Sequence, residues 1–279
     1  MTITYEDILK AKETQSDVIR KTSLEFSDTF SKLCGANVYL KNEYEQKTGS
    51  FKIRGAYYKI KSLTDEEKSK GVVAASAGNH SQGVAFASQI ENIQCTIVMP
   101  KTASPAKVAA TKGYGANVVL EGITYDESWA HAQKIAKETG ATIIHAFDDP
   151  HVIAGQGVIG LEIIEELPNL DEIYVPIGGG GLVAGIITAI KEKNPNVKII
   201  GVESNAYPAM KQSLENNSLT TVEGKMTIAD GISVKTPGKF TFEIVQQKID
   251  KIVTVDDSDI INAMFLLMER SKAVVEPAG

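Results

Sequence analysis

Short apolar runs alternate with longer stretches of helical period from residue 72 onward. The runs are rich in Val and Ile and are apolar at nearly every position, which is typical of parallel strands buried on both faces of a sheet. Helices that connect such strands cover the sheet and give the α/β class of fold. The sequence therefore predicts open parallel sheets, with strands at 72–76, 95–100, 117–122, 142–147, 173–178, 198–203 and 251–255.

Two polar stretches interrupt this pattern, "NEYEQKTGS" at 42–50 and "FDDPH" at 147–151. Such turn-rich stretches are typical of chain crossings between domains. We therefore expect two α/β domains, a small domain at 47–146 inserted into a large domain formed by 1–46 and 147–279. The final "AVVEPAG" predicts a strand that runs into a turn. An α/β unit normally continues from such a turn into a helix, so we expect the natural protein to be longer at its C-terminus.

The composition is that of an acidic globular protein, with 43% apolar residues, 23% charged residues and a formal net charge of −6. An acidic chain without a Lys/Arg cluster argues against nucleic acid or an anionic membrane as a partner. The sequence shows no targeting segment and no apolar run of spanning length, and Cys34 and Cys95 lie far apart, so we expect a reduced cytoplasmic setting. The histidines lack metal-ligand spacing, so no metal site is predicted.

Consecutive glycines follow the predicted strand that ends at Ile177. Glycine costs conformational entropy, so a run of glycines needs a reason. Bare backbone lets a ligand approach the N–H groups closely, and the start of a helix favours negative charge. The segment is therefore predicted to bind a phosphate group. We call it the glycine loop, and it consists of Gly178, Gly179, Gly180, Gly181 and Leu182.

Two common phosphate-binding motifs do not match the glycine loop. The P-loop needs Gly-Lys-Ser/Thr where Leu182 and Val183 stand, and the dinucleotide fingerprint G-x-G-x-x-G needs a glycine in place of Val183. Glu203 ends the next predicted strand at about the separation of an acid that binds the ribose of NAD. NAD binding therefore stays open as an alternative, although a single compact phosphate suits the loop better.

A second turn lies between the predicted strand at 72–76 and a helix expected from about residue 80. Its successive N–H groups are suited to a carboxylate or another small anion, and the side-chain amide of Asn79 is able to donate to a ligand oxygen. Asn and Gly also occur in turns for their geometry alone, so this segment by itself leaves binding open. We call it the carboxylate turn: Ser76, Ala77, Gly78, Asn79 and His80.

The stretch "TGSFKIRGA" places Lys52 and Arg54 at the head of a predicted helix, where the helix dipole disfavours positive charge. Ser50 is the expected N-cap of this helix. The apolar flanks of Lys52, which include Phe51, and the adjacent Arg54 are expected to lower the pKa of Lys52 from about 10.4. A neutral lysine amine is what Schiff-base formation with an aldehyde requires.

A phosphate-binding loop, a carboxylate turn and an activated lysine together fit one cofactor, pyridoxal 5′-phosphate. This cofactor carries an aldehyde for Lys52, a phosphate for the glycine loop and a ring hydroxyl for Asn79. Its amino-acid substrate would bring the carboxylate.

The motifs "SFKIRGA", "SAGNHSQGVA", "GGGGL" and "EPAG" resemble the signature segments of the threonine/serine dehydratase and serine racemase family, which has the tryptophan-synthase β-subunit fold, fold type II. The resemblance covers essentially the whole chain and is strongest to the short catabolic threonine dehydratases. It implies a pyridoxal-phosphate dependent threonine dehydratase that forms 2-oxobutyrate and ammonia from L-threonine, and pyruvate from L-serine. It also implies a homo-oligomer, either a dimer or a tetramer.

The resemblance also implies a role for each motif. Lys52 would hold the cofactor covalently, with Phe51 packed near it and Asn79 on the ring hydroxyl. The glycine loop would bind the cofactor phosphate, and the carboxylate turn would bind the substrate carboxylate. Glu276, in "EPAG", would lie near the cofactor, whereas the family's partner for the pyridine nitrogen would lie beyond this motif.

Three positions separate dehydratases from racemases by the same resemblance. Serine racemases carry a second catalytic serine where this chain has Ala77, and an asparagine where it has Phe147. Their divalent-ion site uses a carboxylate at the position of Ala209. These departures favour dehydration. A serine racemase/dehydratase and a non-catalytic homologue that senses amino acids remain the alternatives.

Overall fold

The structure is a computed structural model that describes residues 3–279. Across these residues the helices are α1 (Tyr5–Gln15), α2 (Asp28–Cys34), α3 (Lys52–Lys61), α4 (Asp65–Lys70), α5 (Asn79–Ile90), α6 (Pro105–Gly113), α7 (Tyr125–Thr139), α8 (Pro150–Glu166), α9 (Gly181–Lys193), α10 (Ala209–Glu215), α11 (Lys239–Lys248) and α12 (Asp257–Leu266). The strands are β1 (Leu24–Phe26), β2 (Tyr39–Lys41), β3 (Val72–Ala75), β4 (Cys95–Met99), β5 (Asn117–Leu120), β6 (Thr142–Ile143), β7 (Glu172–Pro176), β8 (Lys198–Ser204) and β9 (Lys251–Val255).

The strands form two parallel sheets and one short antiparallel pair. The first parallel sheet has the order β5-β4-β3-β6 and the second has the order β7-β8-β9, while β1 pairs with β2 in antiparallel fashion. The α/β fold is therefore confirmed, and each of the seven predicted strands is present. The first sheet lies within 47–146 and the second within 147–279. The exact division into two domains stays a prediction.

Two predicted strands differ from the structure. The strand expected at 142–147 is only Thr142–Ile143, because after Ile144 the chain turns so that the N–H groups of Phe147 and Asp148 donate to the His145 ring nitrogen Nδ1. The strand expected in "AVVEPAG" is wrong. Lys272 adopts a left-handed conformation, and residues 273–279 after it form no strand.

Helix α8 organises the packing that positions the site. It packs against α1, α3 and α9, and its residues 152–163 are all buried. Close approach is possible because small residues face one another: a Cβ on Gly155 would lie 2.7 Å from the Arg54 carbonyl oxygen, and one on Gly185 would lie 2.4 Å from the Ile153 carbonyl oxygen. Asp149 caps α8 by accepting from the N–H groups of His151 and Val152.

A buried network of ion pairs anchors the first turn of α3. The guanidinium of Arg54 is fully buried and donates to Glu43 at 2.8 Å and to Glu162 at 2.7 Å. Lys41 also pairs with Glu162, at 2.6 Å. The network contains two positive and two negative side chains, so its charge is balanced inside the protein.

No helix among residues 3–279 combines the length and the apolar character needed to cross a membrane.

Candidate active site

Lys52 is the first residue of α3, and its amine points to the segment that follows β6. Its Nζ donates to the carbonyl oxygen of Ala146 at 3.1 Å and lies 5.2 Å from the ring centroid of Phe51. Phe51, rather than the predicted Ser50, is the residue at the N-cap of α3. The buried Ser50 hydroxyl finds no hydrogen-bond partner among the described residues, so it does not cap the helix.

Desolvation lowers the pKa of Lys52 to about 8, and the negative charge of Glu276 partly opposes this shift. The lowered pKa agrees with the sequence-based expectation, but Arg54 is not its cause. The Arg54 guanidinium is bound by two carboxylates that neutralise it. Loss of water around the Lys52 amine is what favours the neutral form.

In the chain freed of cofactor, we expect the acetylation of Lys52 by a trace of acetic anhydride to level off above about pH 8, whereas that of an ordinary lysine levels off near pH 10.4. The reason is that the neutral amine is the reactive form and half of the Lys52 population is neutral at its pKa. Peptide mass spectrometry after short labelling across this pH range measures the profile. Lys61 is the internal control, because its bond to Glu91 raises its pKa. Parallel profiles for the two lysines would contradict the assignment.

The glycine loop connects β7 to α9, and its N–H groups are free. Within residues 3–279, no backbone N–H of the glycine loop has a hydrogen-bond acceptor. Gly180 has a φ of 94°, a left-handed conformation that suits glycine. A Cβ on Gly179 would lie 2.3 Å from the Phe147 ring, so a side chain has no room there. Free donors at the start of a helix are the features that bind a phosphate.

One peptide segment joins Lys52 to the glycine loop. The Ala146 carbonyl accepts from the Lys52 amine, and the next residue, Phe147, packs its ring against Gly179 and its backbone and Cβ against Gly181. The amine and the glycine loop therefore contact two adjacent residues.

The carboxylate turn offers fewer free donors than the sequence predicts. The N–H of Ser76 donates to the Val98 carbonyl at 3.1 Å, and the N–H of Gly78 donates to the Ser76 hydroxyl at 3.2 Å. The N–H groups of Ala77, Asn79 and His80 have no acceptor among the described residues. Three donors at the start of α5 thus remain for an anion.

His80 is buried, with 3% of its surface exposed, and its Nε2 lies 2.9 Å from the Ile144 carbonyl oxygen. Because a carbonyl oxygen only accepts, Nε2 carries the proton and donates to it. Burial lowers the pKa of His80 to about 3, and the positive charge on Lys52 acts in the same direction. His80 is therefore neutral and serves to fix the start of α5 against the chain after β6.

Asn79 and Glu276 come together from distant parts of the sequence. The Asn79 amide nitrogen donates to Glu276 Oε1 at 2.5 Å. Glu276 is exposed as a whole residue, but partial burial of its carboxylate raises its pKa, and the bond from Asn79 partly opposes that rise. The negative charge of Glu276 also raises the pKa of Lys52, against the effect of burial.

Glu203 has a structural task that removes the sequence-based reason for NAD binding. Its oxygens accept from the N–H groups of Met210 at 2.8 Å and Lys211 at 2.9 Å, so it caps α10. Burial raises the pKa of Glu203 to about 7, while these hydrogen bonds lower it in part. Ala209, the first residue of α10, is fully buried. Among residues 3–279, no group of three or more His, Cys, Asp and Glu is placed to hold a metal ion.

The sequence interpretation missed the residues that support the glycine loop. Phe147 was noted only as a difference from racemases, and Asp148 was noted only as part of a turn. Asp148 in fact accepts from the N–H groups of Lys239 and Phe240 at 3.0 and 2.8 Å, which caps α11. The dipeptide Asp-Pro at 149–150 was a usable signal for a helix start, because Asp caps helices and Pro favours their first turn.

The fold, the desolvated lysine and the free N–H groups of the glycine loop are features that fit an α/β enzyme for a phosphorylated aldehyde. The chain belongs to the pyridoxal-phosphate dependent enzyme family, whose model matches residues 15–279. Pyridoxal phosphate is accordingly its cofactor, and the free N–H groups of the glycine loop fit the phosphate. The resemblance drawn from the motifs is confirmed at the level of the family.

The relatives of this chain include proteins named as a threonine ammonia-lyase or deaminase and a protein named as a serine racemase. The chain is 52% identical to the L-threonine ammonia-lyase of Thermotoga maritima over 277 residues, which cover 99% of the chain and 69% of that protein. Its fold matches maize serine racemase with a TM-score of 0.97 at 34% identity, covering 100% of the chain and 84% of that structure. The processed threonine deaminase isoform 2 of Solanum lycopersicum matches with a TM-score of 0.95 at 38% identity, covering 100% and 78%.

Proposed function

We propose that this chain is a threonine dehydratase that converts L-threonine to 2-oxobutyrate and ammonia, and L-serine to pyruvate. The observation that carries the proposal is the desolvated amine of Lys52, which is tied through Ala146 and Phe147 to the free N–H groups of the glycine loop. The 52% identity to a protein named L-threonine ammonia-lyase supports the choice of reaction.

The residues that would hold the cofactor are those with free or desolvated polar groups around this segment. Lys52 would bind its aldehyde carbon, and the glycine loop would bind its phosphate through backbone N–H groups. Phe51 would pack near the ring, Asn79 would meet the ring hydroxyl, and Glu276 would lie close by. The cofactor supplies an electron sink for the negative charge that develops at the substrate Cα.

Lys52 acts as the base in this scheme. At about pH 8, its lowered pKa, half of the Lys52 amine is in the neutral form, and this form would accept the proton from the substrate Cα. The carboxylate turn would orient the substrate by donating from the N–H groups of Ala77, Asn79 and His80 to its carboxylate. In the net reaction, the Cα proton and the β-hydroxyl would leave as one water, and one water would then hydrolyse the resulting enamine, as its imine tautomer, to the 2-oxo acid and ammonia.

A serine racemase/dehydratase is the second candidate, because the fold matches maize serine racemase so closely. Three observations weigh against racemisation. Ala77 has no hydroxyl that is able to return a proton to the opposite face of Cα. The position of the racemase asparagine is held by Phe147, whose ring packs on the glycine loop. Ala209 offers no carboxylate, and the Glu203 oxygens are already bonded to α10.

Assays with L-threonine and L-serine test the proposal. We expect 2-oxo acid and ammonia from both substrates. Their kcat/KM values are expected to differ by no more than about 200-fold, because one methyl group is worth about 1–3 kcal/mol in a pocket. Chiral analysis of the L-serine reaction is expected to find no D-serine. Accumulation of D-serine would favour the racemase, and cofactor absorbance without any turnover would favour the amino-acid sensor. A cytoplasmic location and a homo-oligomer stay predictions.

A further inference from the structure

Thr241 holds the peptide at the centre of the glycine loop. It is fully buried in the first turn of α11, and its hydroxyl donates to the carbonyl oxygen of Gly179 at 2.6 Å. The N–H of Gly238 donates to the same oxygen at 3.2 Å. Two donors from the start of α11 therefore fix the direction of one carbonyl group in the loop.

The direction of that carbonyl determines where the next N–H points. In a planar trans peptide, the C=O of one residue and the N–H of the next residue point in opposite directions. Because the Gly179 carbonyl faces α11, the N–H of Gly180 faces away from α11, and it has no acceptor among residues 3–279. Glycines adopt many conformations, so the peptide between Gly179 and Gly180 depends on these two bonds for its orientation, and the bond from Thr241 is the shorter of the two.

The segment after β6 fixes Thr241 itself. Asp148 accepts from the N–H groups of Lys239, Phe240 and Thr241, so the start of α11 is anchored. The neighbouring Phe147 ring packs on Gly179. The glycine loop is thus supported by the Phe147 ring, which packs on Gly179, and by the Thr241 hydroxyl, which donates to the Gly179 carbonyl.

We infer that Thr241 is a positioning residue for phosphate recognition, which orients the Gly180 N–H toward the cofactor phosphate without touching the cofactor. The inference rests on the proposed assignment of the glycine loop as the phosphate site. It predicts that the Thr241 hydroxyl matters for a ligand that carries the phosphate and not for the same ligand without it.

The test compares pyridoxal 5′-phosphate with pyridoxal, using the full chain freed of cofactor by dialysis with hydroxylamine. Thr241→Val removes the hydroxyl and keeps the shape, and Thr241→Ser restores the hydroxyl. Absorbance titration measures both dissociation constants. We expect Thr241→Val to raise the dissociation constant of pyridoxal 5′-phosphate by roughly 10- to 100-fold, which is the range of one hydrogen bond to a charged group. The dissociation constant of pyridoxal is expected to change by less than about twofold. Thr241→Ser is expected to match the wild type.

Thr188→Val is the matched control. Thr188 is also buried, and its hydroxyl donates at 2.9 Å to the Ala184 carbonyl within α9, so it makes no bond to a carbonyl of the glycine loop. It is expected to leave the ratio of the two dissociation constants unchanged. If valine at position 241 prevents folding, Thr241→Cys, with a thiol that donates weakly, is expected to lose part of the preference for the phosphate.

Three outcomes would overturn the inference: an unchanged ratio in Thr241→Val, or in Thr241→Cys where valine does not fold; an equal loss for both ligands; or the same change of ratio in Thr188→Val. A wild-type chain that binds pyridoxal as tightly as pyridoxal 5′-phosphate would instead refute the phosphate site itself. Failure of the inference and failure of the proposed function are therefore distinguishable.

Discussion

Replacing Lys52 with alanine is expected to reduce the release of 2-oxo acid by at least about 10³-fold, because the variant loses both the covalent anchor of the cofactor and the base at the substrate Cα. The loss is not expected to come from unfolding. The Lys52 amine makes one hydrogen bond, to the Ala146 carbonyl, and its burial disfavours the charged form, so the loss of that bond is offset in part by the removal of a desolvated charge. Turnover of L-threonine and the thermal melting curve, recorded on the same sample, separate the two effects.

Lys61→Ala is the control for this experiment. Lys61 lies on the same helix, α3, but it is an exposed side chain that pairs with Glu91 at the surface. We expect its turnover to stay within about twofold of the wild type, since surface ion pairs contribute little. Turnover near the wild-type rate in Lys52→Ala would refute the role of Lys52.

Arg54→Met is expected to destabilise the protein by about 3–5 kcal/mol, because it leaves the buried carboxylates of Glu43 and Glu162 with a single cation, Lys41. The Arg54 side chain is 0% exposed, so water does not replace the lost partner. Urea unfolding measures the change as a shift of the midpoint at constant slope.

The matched control is Lys61→Met, which removes a cation from the same helix at a position where 45% of the side chain is exposed. It is expected to cost about 0–1 kcal/mol. A cost for Arg54→Met no larger than that of Lys61→Met would show that the buried network does not stabilise the start of α3.

Local patterns in the sequence predicted the strands and the glycine loop because the conformation of each depends mainly on residues that are adjacent in the chain. A run of Val and Ile favours an extended buried strand wherever it lies, and consecutive glycines before a helix leave N–H groups free in any context. The helix that follows these glycines, α9, begins at Gly181. The pairing order of the strands, in contrast, depends on chain connections that no local window contains.

Contacts between distant segments could not be predicted in this way. Arg54 was read as the neighbour of Lys52 in the chain, whereas its partners Glu43 and Glu162 are set by how α3 packs on α8. The contact of Asn79 with Glu276 and the bond of Thr241 to the glycine loop also join residues far apart in sequence. A strand was expected in "AVVEPAG" from its composition alone, and the turn at Lys272 prevented it.

The four residues from Ala146 to Asp149 each serve a different neighbour: the reactive lysine, the glycine loop, the start of α11 and the start of α8. Because four consecutive residues each contact a different part of the protein, the number of residues in the segment is more constrained than the identity of any one of them. A conservative substitution disturbs one neighbour, but a single inserted or deleted residue shifts all four at once. Engineering of this enzyme by insertion or by chimera formation should therefore place its junctions outside residues 146–149.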